Sequence, residues 1–170
     1  VIGKVADVSA SNWYVDIGFY NQAAISLIEG SMEYIPRGAD LSQYYAPGDY
    51  VVGTVISVTK NNMINLTVKG PGLRKLSEGR VISVNPAKVP RIIGKEGSMI
   101  SLIKNMTDCR VIVGQNGYIW ISGMDTEKER LAVAAIEMID KRAHMQGLTV
   151  EVENFLKEKL GVKNDVHKTD

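Results

Sequence analysis

Hydrophobic and polar positions alternate over short stretches in the first 70 residues, which is typical of half-buried β-strands. The pattern predicts five strands, at 2–8, 13–17, 23–28, 50–58 and 63–68. A polar connection that contains glycine and proline separates the third strand from the fourth. Five short strands with one longer connection favour a small closed barrel of the OB type. We therefore predict a β-barrel domain over residues 1–69.

The hydrophobic period changes after Lys-Gly-Pro-Gly at 69–72, so we predict a linker over residues 70–78. A strand at 80–84 is followed by a one-turn helix that Pro90 opens, and by a second helix with hydrophobic residues three and four apart. Strands at 109–113 and 118–122 flank an Asn-Gly turn, and a long helix begins at 125 or 126. The order is strand, helix, helix, strand, strand, helix. A further short helix completes a predicted α+β domain over 79–161, before a polar tail at 162–170.

Composition excludes several classes of protein. The chain has 170 residues, of which 45% are hydrophobic and 23% charged, as in an ordinary globular protein. No apolar run approaches the roughly 18 residues of a membrane span, and the single cysteine cannot form an internal disulfide. We expect a cytoplasmic protein without a membrane partner. Position 1 is valine, so we also expect that a native N-terminal domain is missing from this sequence.

The net charge of +1 hides an asymmetry along the chain. Residues 1–70 carry four basic and six acidic side chains, whereas residues 74–110 carry eight basic and three acidic ones. A local positive field favours a polyanionic partner, although most charged stretches are simply solvated surfaces. The charge alone therefore leaves both interpretations open.

The segment Gly94-Lys95-Glu96-Gly97 lies between the end of one predicted helix and the start of the next. Glycine at both ends lets the backbone turn sharply and lets a ligand approach closely. The next helix offers unpaired N–H groups and the positive end of its dipole, and Lys95 adds a cation. This combination suits a phosphodiester backbone.

These features resemble known families. Residues 79–143 resemble a type I KH domain, whose Gly-x-x-Gly loop clamps the backbone of about four nucleotides. Residues 1–69 are similar to the S-one domain, an OB-fold RNA binder named after a ribosomal protein. Three stretches resemble the RNA-binding cap subunits of the archaeal exosome: Lys-Gly-Pro-Gly-Leu at 69–73, Val-Pro-Arg-Ile-Ile-Gly-Lys-Glu-Gly-Ser-Met-Ile at 89–100, and Val-Gly-Gln-Asn-Gly-Tyr-Ile-Trp at 113–120.

The resemblance implies a non-catalytic subunit that recruits single-stranded RNA 3′ regions and guides them into a ring of phosphorolytic subunits. The family implies three cap subunits per ring. It also implies RNA binding by the KH loop and its flanks, for which the candidates are Lys88, Arg91, Ile93, Gly94, Lys95, Glu96, Gly97 and Ser98. Gly114, Asn116, Gly117 and Trp120 belong to the third stretch, and we interpret them as structural.

In the barrel, exposed aromatic side chains could stack on bases and nearby cations could contact phosphates. The aromatic candidates are Trp13, Tyr14, Phe19 and Tyr20, and the cationic candidates are Lys4, Arg37 and Lys60. Strand alternation puts Trp13 and Tyr14 on opposite faces, so one of the two is expected in the core.

No catalytic or metal-binding arrangement is evident. His144 and His167 stand apart from any cysteine or paired carboxylate at metal-ligand spacing, and Cys109 is expected to be a small buried residue. We predict no catalysis, no cofactor, no metal and no small-molecule substrate. Two alternatives stay open: a transcription elongation factor of the S-one plus KH type, and a structural clamp of the ring with incidental RNA contacts. A fragment of polynucleotide phosphorylase is disfavoured, because there the KH domain precedes the S-one domain.

Overall fold

The computed structural model describes residues 1–161, so the predicted polar tail at 162–170 lies outside the described residues. The chain divides into two compact units. The first contains Val1–Glu78 together with Val113–Tyr118, and the second contains Gly79–Ile112 and the residues from Ile119 onward. Within residues 1–161, no helix combines the length and the apolar character that crossing a membrane requires.

The first unit is built on one curled mixed sheet. Its strands are β1 (Ile2–Val8), β2 (Asn12–Asp16), β3 (Ala23–Ser26), β4 (Tyr50–Val52), β5 (Thr54–Val58), β6 (Ile64–Thr67) and β7 (Arg74–Lys75). They lie in the order β5-β6-β3-β2-β1-β4-β7. β3 pairs with β6 in parallel, and the other pairings are antiparallel.

Gly53 divides the predicted strand at 50–58 into β4 and β5. β4 pairs with β1, whereas β5 pairs with β6 on the other side of the sheet. Gly53 is buried, and a Cβ atom there would lie 3.1 Å from the carbonyl oxygen of Thr67. β5 lies at one end of the strand order and β4 lies next to the other end. Because only Gly53 separates these two strands in the chain, the sheet curls on itself, as the OB-type prediction requires. The enclosed core includes Val5, Trp13, Val15, Ile25, Val51 and Leu66.

Residues 70–78, predicted as a linker, contribute a strand to this sheet. β7 pairs with β4, and Lys75 Nζ lies 2.7 Å from the carboxylate of Asp49. Burial alone would raise the pKa of Asp49. The hydrogen bonds from Lys75 and from the Ala46 N–H, with the charge of Lys75, outweigh that effect and lower the pKa below its ordinary value. The segment is therefore part of the first unit.

The second unit has the order predicted for a type I KH domain with an additional C-terminal helix. Its elements are β8 (Arg80–Ser83), α1 (Val89–Ile93), α2 (Ser98–Thr107), β9 (Arg110–Val113), β10 (Tyr118–Ser122), α3 (Thr126–Arg142) and α4 (Leu148–Leu160). The sheet order is β8-β10-β9. α1, α2 and α3 contact one another, and α4 contacts α2 and α3. The buried side chains include Ile92, Ile103, Ile119, Ile121, Ile136, Val152 and Leu156.

Local signals explain where the long helix α3 begins. The side chain of Asp125 accepts a hydrogen bond of 2.8 Å from the Glu127 N–H, which makes it the N-cap. Glu127 and Glu129 fill the first turn, and Lys141 and Arg142 fill the last one, in agreement with the helix dipole. The buried face of α3 includes Ala132, Ala135, Ile136 and Ile139.

Candidate nucleic-acid interface

The loop between α1 and α2 turns through three residues with positive φ. Gly94 has φ of 77°, Glu96 has φ of 54° and Gly97 has φ of 76°. The loop is closed by hydrogen bonds from the Gly94 N–H to Pro90 O at 3.0 Å and from the Gly97 N–H to Gly94 O at 3.2 Å. Left-handed backbone favours glycine, so the sequence pattern and the conformation agree.

The two glycines are constrained differently. A Cβ atom at Gly94 would lie 2.7 Å from both the backbone nitrogen and the Cβ of Met99, so a side chain there would displace the start of α2. A Cβ atom at Gly97 would meet no atom within 4 Å. Gly94 is therefore needed for the close packing of the loop on α2, whereas Gly97 leaves open space in front of the helix.

The start of α2 can receive an anion. Its N-cap is Gly97, and no side chain there accepts a hydrogen bond from the first-turn N–H groups. The Ser98 N–H donates to the carbonyl oxygen of Lys95 within the loop. The helix start still presents partial positive charge, and its following N–H groups have no side-chain cap. Lys95, Glu96 and Ser98 are all exposed on the loop, and Lys95 forms no ion pair within residues 1–161. The loop thus offers a mobile cation, open backbone and a helix start.

The flanking cations predicted with this loop are already engaged. Lys88 Nζ donates to the carbonyl oxygen of Asp140 and lies 3.8 Å from its carboxylate. Arg91 Nη2 donates to the carbonyl oxygen of Met145 at 2.9 Å. These contacts hold both side chains against the unit's own helical region, so the structure does not place them as free phosphate contacts. Ile93 is half-buried at the end of α1.

The four aromatic candidates of the barrel differ in how far the fold buries their side chains. Trp13 is fully buried, and its Nε1 donates to the carbonyl oxygen of Leu41 at 3.0 Å. The expectation that Trp13 stacks on bases is therefore wrong, because its side chain lies on the inner face of β2. Tyr14, on the opposite face, is half-buried, while Phe19 and Tyr20 are exposed.

Phe19 and Tyr20 line a cavity of about 310 Å³. Val58, Asn62 and Ile64 complete its wall, and Asn21 Nδ2 donates to the carbonyl oxygen of Asn62 across it. The exposed cation Lys60 lies on the same turn, between β5 and β6. The structure therefore brings Phe19 and Tyr20 close to the turn that carries Lys60.

Lys4 and Arg37 do not line this cavity. Lys4 is exposed on β1, with its Nζ 5.9 Å from the centre of the Tyr50 ring. Arg37 is exposed in the connection between β3 and β4. Both remain candidate cations, but the structure does not join either one to Phe19 and Tyr20.

The turn between β9 and β10 has a buried polar centre. Asn116 Nδ2 donates to the carbonyl oxygens of Ile2 and Ile17 at 2.7 and 2.9 Å, and Asn116 Oδ1 accepts from the Ile2 N–H at 3.2 Å. Gly117 has φ of 89°, and Gly114 leaves no space for a Cβ atom, which would lie 2.5 Å from Asn116 Oδ1. These residues fix the turn within the first unit.

Trp120 is buried in β10 of the second unit, with the Arg110 guanidinium 5.5 Å from its ring centre. Gly79 lies against the same ring, because a Cβ atom there would be 2.5 Å from Trp120 Nε1. No sequence pattern singles out Gly79, since only the fold brings it beside Trp120.

The described residues contain no group of three histidine, cysteine or acidic side chains that could hold a metal. Cys109 is buried, and burial, with the charges of Glu129 and Asp108, raises the pKa of its thiol. A raised pKa keeps the sulfur protonated and unreactive. His144 is exposed after α3, and His167 lies outside the described residues.

Comparison with known proteins agrees with this arrangement. Residues 79–127 match the family model of the KH domain. The chain is 43% identical over 164 residues to the exosome complex component Rrp4 of Thermoplasma volcanium, covering 96% of this chain and 68% of that protein. The chain belongs to the Rrp4 family of exosome complex components. The resemblance found in the sequence is thus confirmed.

Other relatives give the same result. The Rrp4 component of Thermococcus kodakarensis is 43% identical over 163 residues, covering 94% of this chain and 63% of that protein. A crystal structure of an exosome complex RNA-binding protein matches with a TM-score of 0.85 and 34% identity, covering 95% of this chain and 93% of that one. The chain therefore spans about two thirds of the length of its curated relatives, and nearly all of that solved chain.

Proposed function

We propose that the chain is a non-catalytic RNA-binding cap subunit of an exosome, which recruits single-stranded RNA 3′ regions in the cytoplasm and guides them into a phosphorolytic ring. The observation that carries this proposal is the Gly94–Gly97 loop, which leaves open space and a free cation in front of α2. Family membership supports it, since relatives of the chain are named as exosome components.

The KH loop holds the RNA backbone. A phosphate lies at the start of α2, where the helix dipole and the first-turn N–H groups stabilise its charge. Gly97 permits close approach because its backbone is unobstructed, and Lys95 supplies a second positive contact. Contacts of this kind depend on charge and not on base identity, so binding weakens as salt concentration rises.

The barrel adds stacking contacts. Phe19 and Tyr20 present exposed rings, and base stacking on such rings stabilises binding by about 1–3 kcal/mol per base. Lys60 on the neighbouring turn contacts the backbone that joins the stacked bases. Stacking and phosphate contacts position RNA without breaking a bond, so phosphorolysis belongs to the ring subunits.

Affinity purification tests the assignment to this machine. The tagged chain is used as bait in a lysate of its source organism, with and without nuclease, and bound proteins are identified by mass spectrometry. We expect phosphorolytic ring subunits in both samples, with three copies of the chain per ring. Recovery of RNA polymerase subunits without ring subunits would overturn the exosome assignment and favour an elongation factor.

The structural-clamp alternative is tested on the recovered complex. RNA retention and ring dissociation are measured for the unaltered chain and for Gly97→Asp, which alters the KH loop where no other side chain is close. We expect RNA retention to fall while the ring stays intact. A ring that falls apart while RNA retention is unchanged would identify the chain as a clamp.

A further inference from the structure

The connection after β3 carries an unusual amount of exposed hydrophobic surface. Ile28, Met32 and Tyr34 are 72%, 80% and 87% exposed, respectively, whereas Ile35 in the same segment is buried. Single exposed hydrophobic residues are common on protein surfaces, but large ones clustered around a concavity mark binding sites. None of the three was singled out from the sequence. Ile28 ends the strand predicted at 23–28, and Met32 and Tyr34 lie in the connection that was predicted as a polar loop.

These side chains surround a groove. Ile28, Met32 and Tyr34 line a cavity of about 470 Å³ together with Arg37 and Lys69. A second cavity of about 480 Å³ shares Leu27, Ile28 and Arg37 with the first. We call the two adjoining cavities the Tyr34 groove. The volume of the groove is larger than a single small side chain from a partner would fill.

The groove is held in place by the barrel core. Gly30 is packed so closely on Trp13 that a Cβ atom would lie 2.1 Å from the indole ring, and the Tyr45 hydroxyl donates to Gly30 O at 2.8 Å. The Val68 N–H donates to Glu29 O at 3.0 Å, which ties the end of β6 to the loop and brings Lys69 to its rim. A concavity fixed by core contacts is preformed, which lowers the entropy lost on binding.

The charge of the groove differs from that of its unit. Residues 1–70 contain four basic side chains and a net excess of acidic ones, yet two of those four, Arg37 and Lys69, line the groove. Glu33 is the one acidic residue of its wall. Neither Arg37 nor Lys69 forms an ion pair within the part of the chain that the structure describes. Two unpaired cations beside an exposed tyrosine suit a ligand that has both negative charge and flat rings.

We propose that the Tyr34 groove is an additional subsite for single-stranded RNA, in which a base stacks on Tyr34 against Met32 and the adjoining phosphate lies between Arg37 and Lys69. This inference rests on the proposed function and extends it to a face of the barrel distinct from the Phe19 and Tyr20 cavity. RNA fits better than a peptide, because each nucleotide supplies a stacking ring and a phosphate together. A peptide that buried Met32 and Tyr34 would need an acidic side chain at a matching position to pair with the cations.

RNA binding by groove variants tests the proposal. The probes are two fluorescein-labelled oligouridylates, one of about 20 nucleotides and one of about four, the length that a KH loop holds. We expect Tyr34→Ala to weaken binding of the longer probe about tenfold and Tyr34→Phe to retain it, because phenylalanine preserves the ring. Arg37→Gln with Lys69→Gln should reduce the slope of log K against log salt by about 0.7, since the one phosphate that both cations contact contributes roughly that amount for a single strand. The short probe should bind all groove variants equally.

Controls separate this subsite from the KH loop. Lys141→Gln with Lys159→Gln removes the same charge from exposed positions on α3 and α4, and should leave affinity for both probes nearly unchanged. Gly97→Asp should weaken both probes. If Gly97→Asp weakens binding but the groove variants bind the longer probe like the unaltered chain, the groove proposal is overturned and the KH loop stands. If the groove variants lose affinity while Gly97→Asp does not, the groove stands and the KH loop fails.

Crosslinking gives an independent readout. A longer probe substituted with 4-thiouridine is irradiated on the unaltered chain and on Gly97→Asp, and the crosslinked peptides are identified by mass spectrometry. We expect crosslinks within residues 27–37 in both proteins. Their absence from both, when crosslinks form elsewhere, would overturn the proposal. Groove variants that keep RNA affinity but lose a protein in the affinity purification would identify a protein-docking site instead.

Discussion

Trp13 and Tyr20 are aromatic residues of the same barrel with opposite surroundings. Trp13 packs edge-on against Tyr45, with ring centres 5.1 Å apart, and its N–H is satisfied by Leu41. Tyr20 has no such enclosure and is fully exposed. The first side chain therefore contributes to folding, and the second is free to contact a ligand.

Substitution of each residue should separate stability from RNA binding. Trp13→Ala should lower the free energy of unfolding by about 3–5 kcal/mol, because it leaves a large cavity in the core. Tyr20→Ala should change it by less than about 0.5 kcal/mol while weakening RNA binding. Urea unfolding and fluorescence anisotropy measure the two effects. A Trp13→Ala protein as stable as Tyr20→Ala would contradict the assignment of Trp13 to the core.

At the scale of elements, the turn between β9 and β10 shows how one polar side chain can organise distant segments. Asn116 bonds to the backbone of Ile2 and Ile17, which are about 100 positions away in the sequence. All three contacts are buried. A buried donor or acceptor that loses its partner incurs its full desolvation penalty.

Asn116→Ala should therefore destabilise the first unit. We expect the free energy of unfolding to fall by about 2–3 kcal/mol, because backbone groups of Ile2 and Ile17 lose their partners. Gln115→Ala is the matched control, since Gln115 is exposed on the same turn. Urea unfolding of both variants measures the difference. Equal midpoints would show that the hydrogen bonds of Asn116 are dispensable.

The sequence predicted the main elements well, and its failures have physical causes. Alternation located the barrel strands, and helical spacing located α2 and α3, because each element buries one face of a regular period. The split at Gly53 and the strand β7 were missed. Two residues are too few to show alternation, and β7 depends on pairing with β4, which is distant in the sequence.

The candidate site was predictable where backbone conformation dictated residue type. Gly94 and Gly97 stand out in the sequence because left-handed backbone favours glycine. The partners of Lys88 and Arg91 could not be foreseen, since Asp140 and Met145 lie more than 50 positions away. The Tyr34 groove was missed for a related reason, because exposure of a loop side chain is decided by what the rest of the fold covers.

At the scale of the whole molecule, the two compact units carry different candidate features for the proposed RNA binding. The second unit offers a KH loop with open backbone, and the first offers exposed rings and isolated cations. Membership of the Rrp4 family rests on similarity over nearly the whole chain, whereas the proposed RNA-binding role depends most on the KH loop. Variants of the KH loop therefore test the proposed RNA-binding role most directly.

Comparison of Gly97→Asp with Gly97→Asn tests the central claim most directly. Gly94 is unsuitable, because any side chain there would collide with Met99. At Gly97 both variants meet open space, and both residue types tolerate left-handed backbone, so they differ mainly in charge. The measurement is the Kd of each folded variant for the longer oligouridylate at several salt concentrations.

We predict that Gly97→Asp raises Kd at least about tenfold relative to Gly97→Asn, because a carboxylate would face the RNA phosphates. The difference should shrink as salt screens the repulsion. Equal Kd values for the two variants at low salt would contradict the account, since no phosphate could then lie in front of α2.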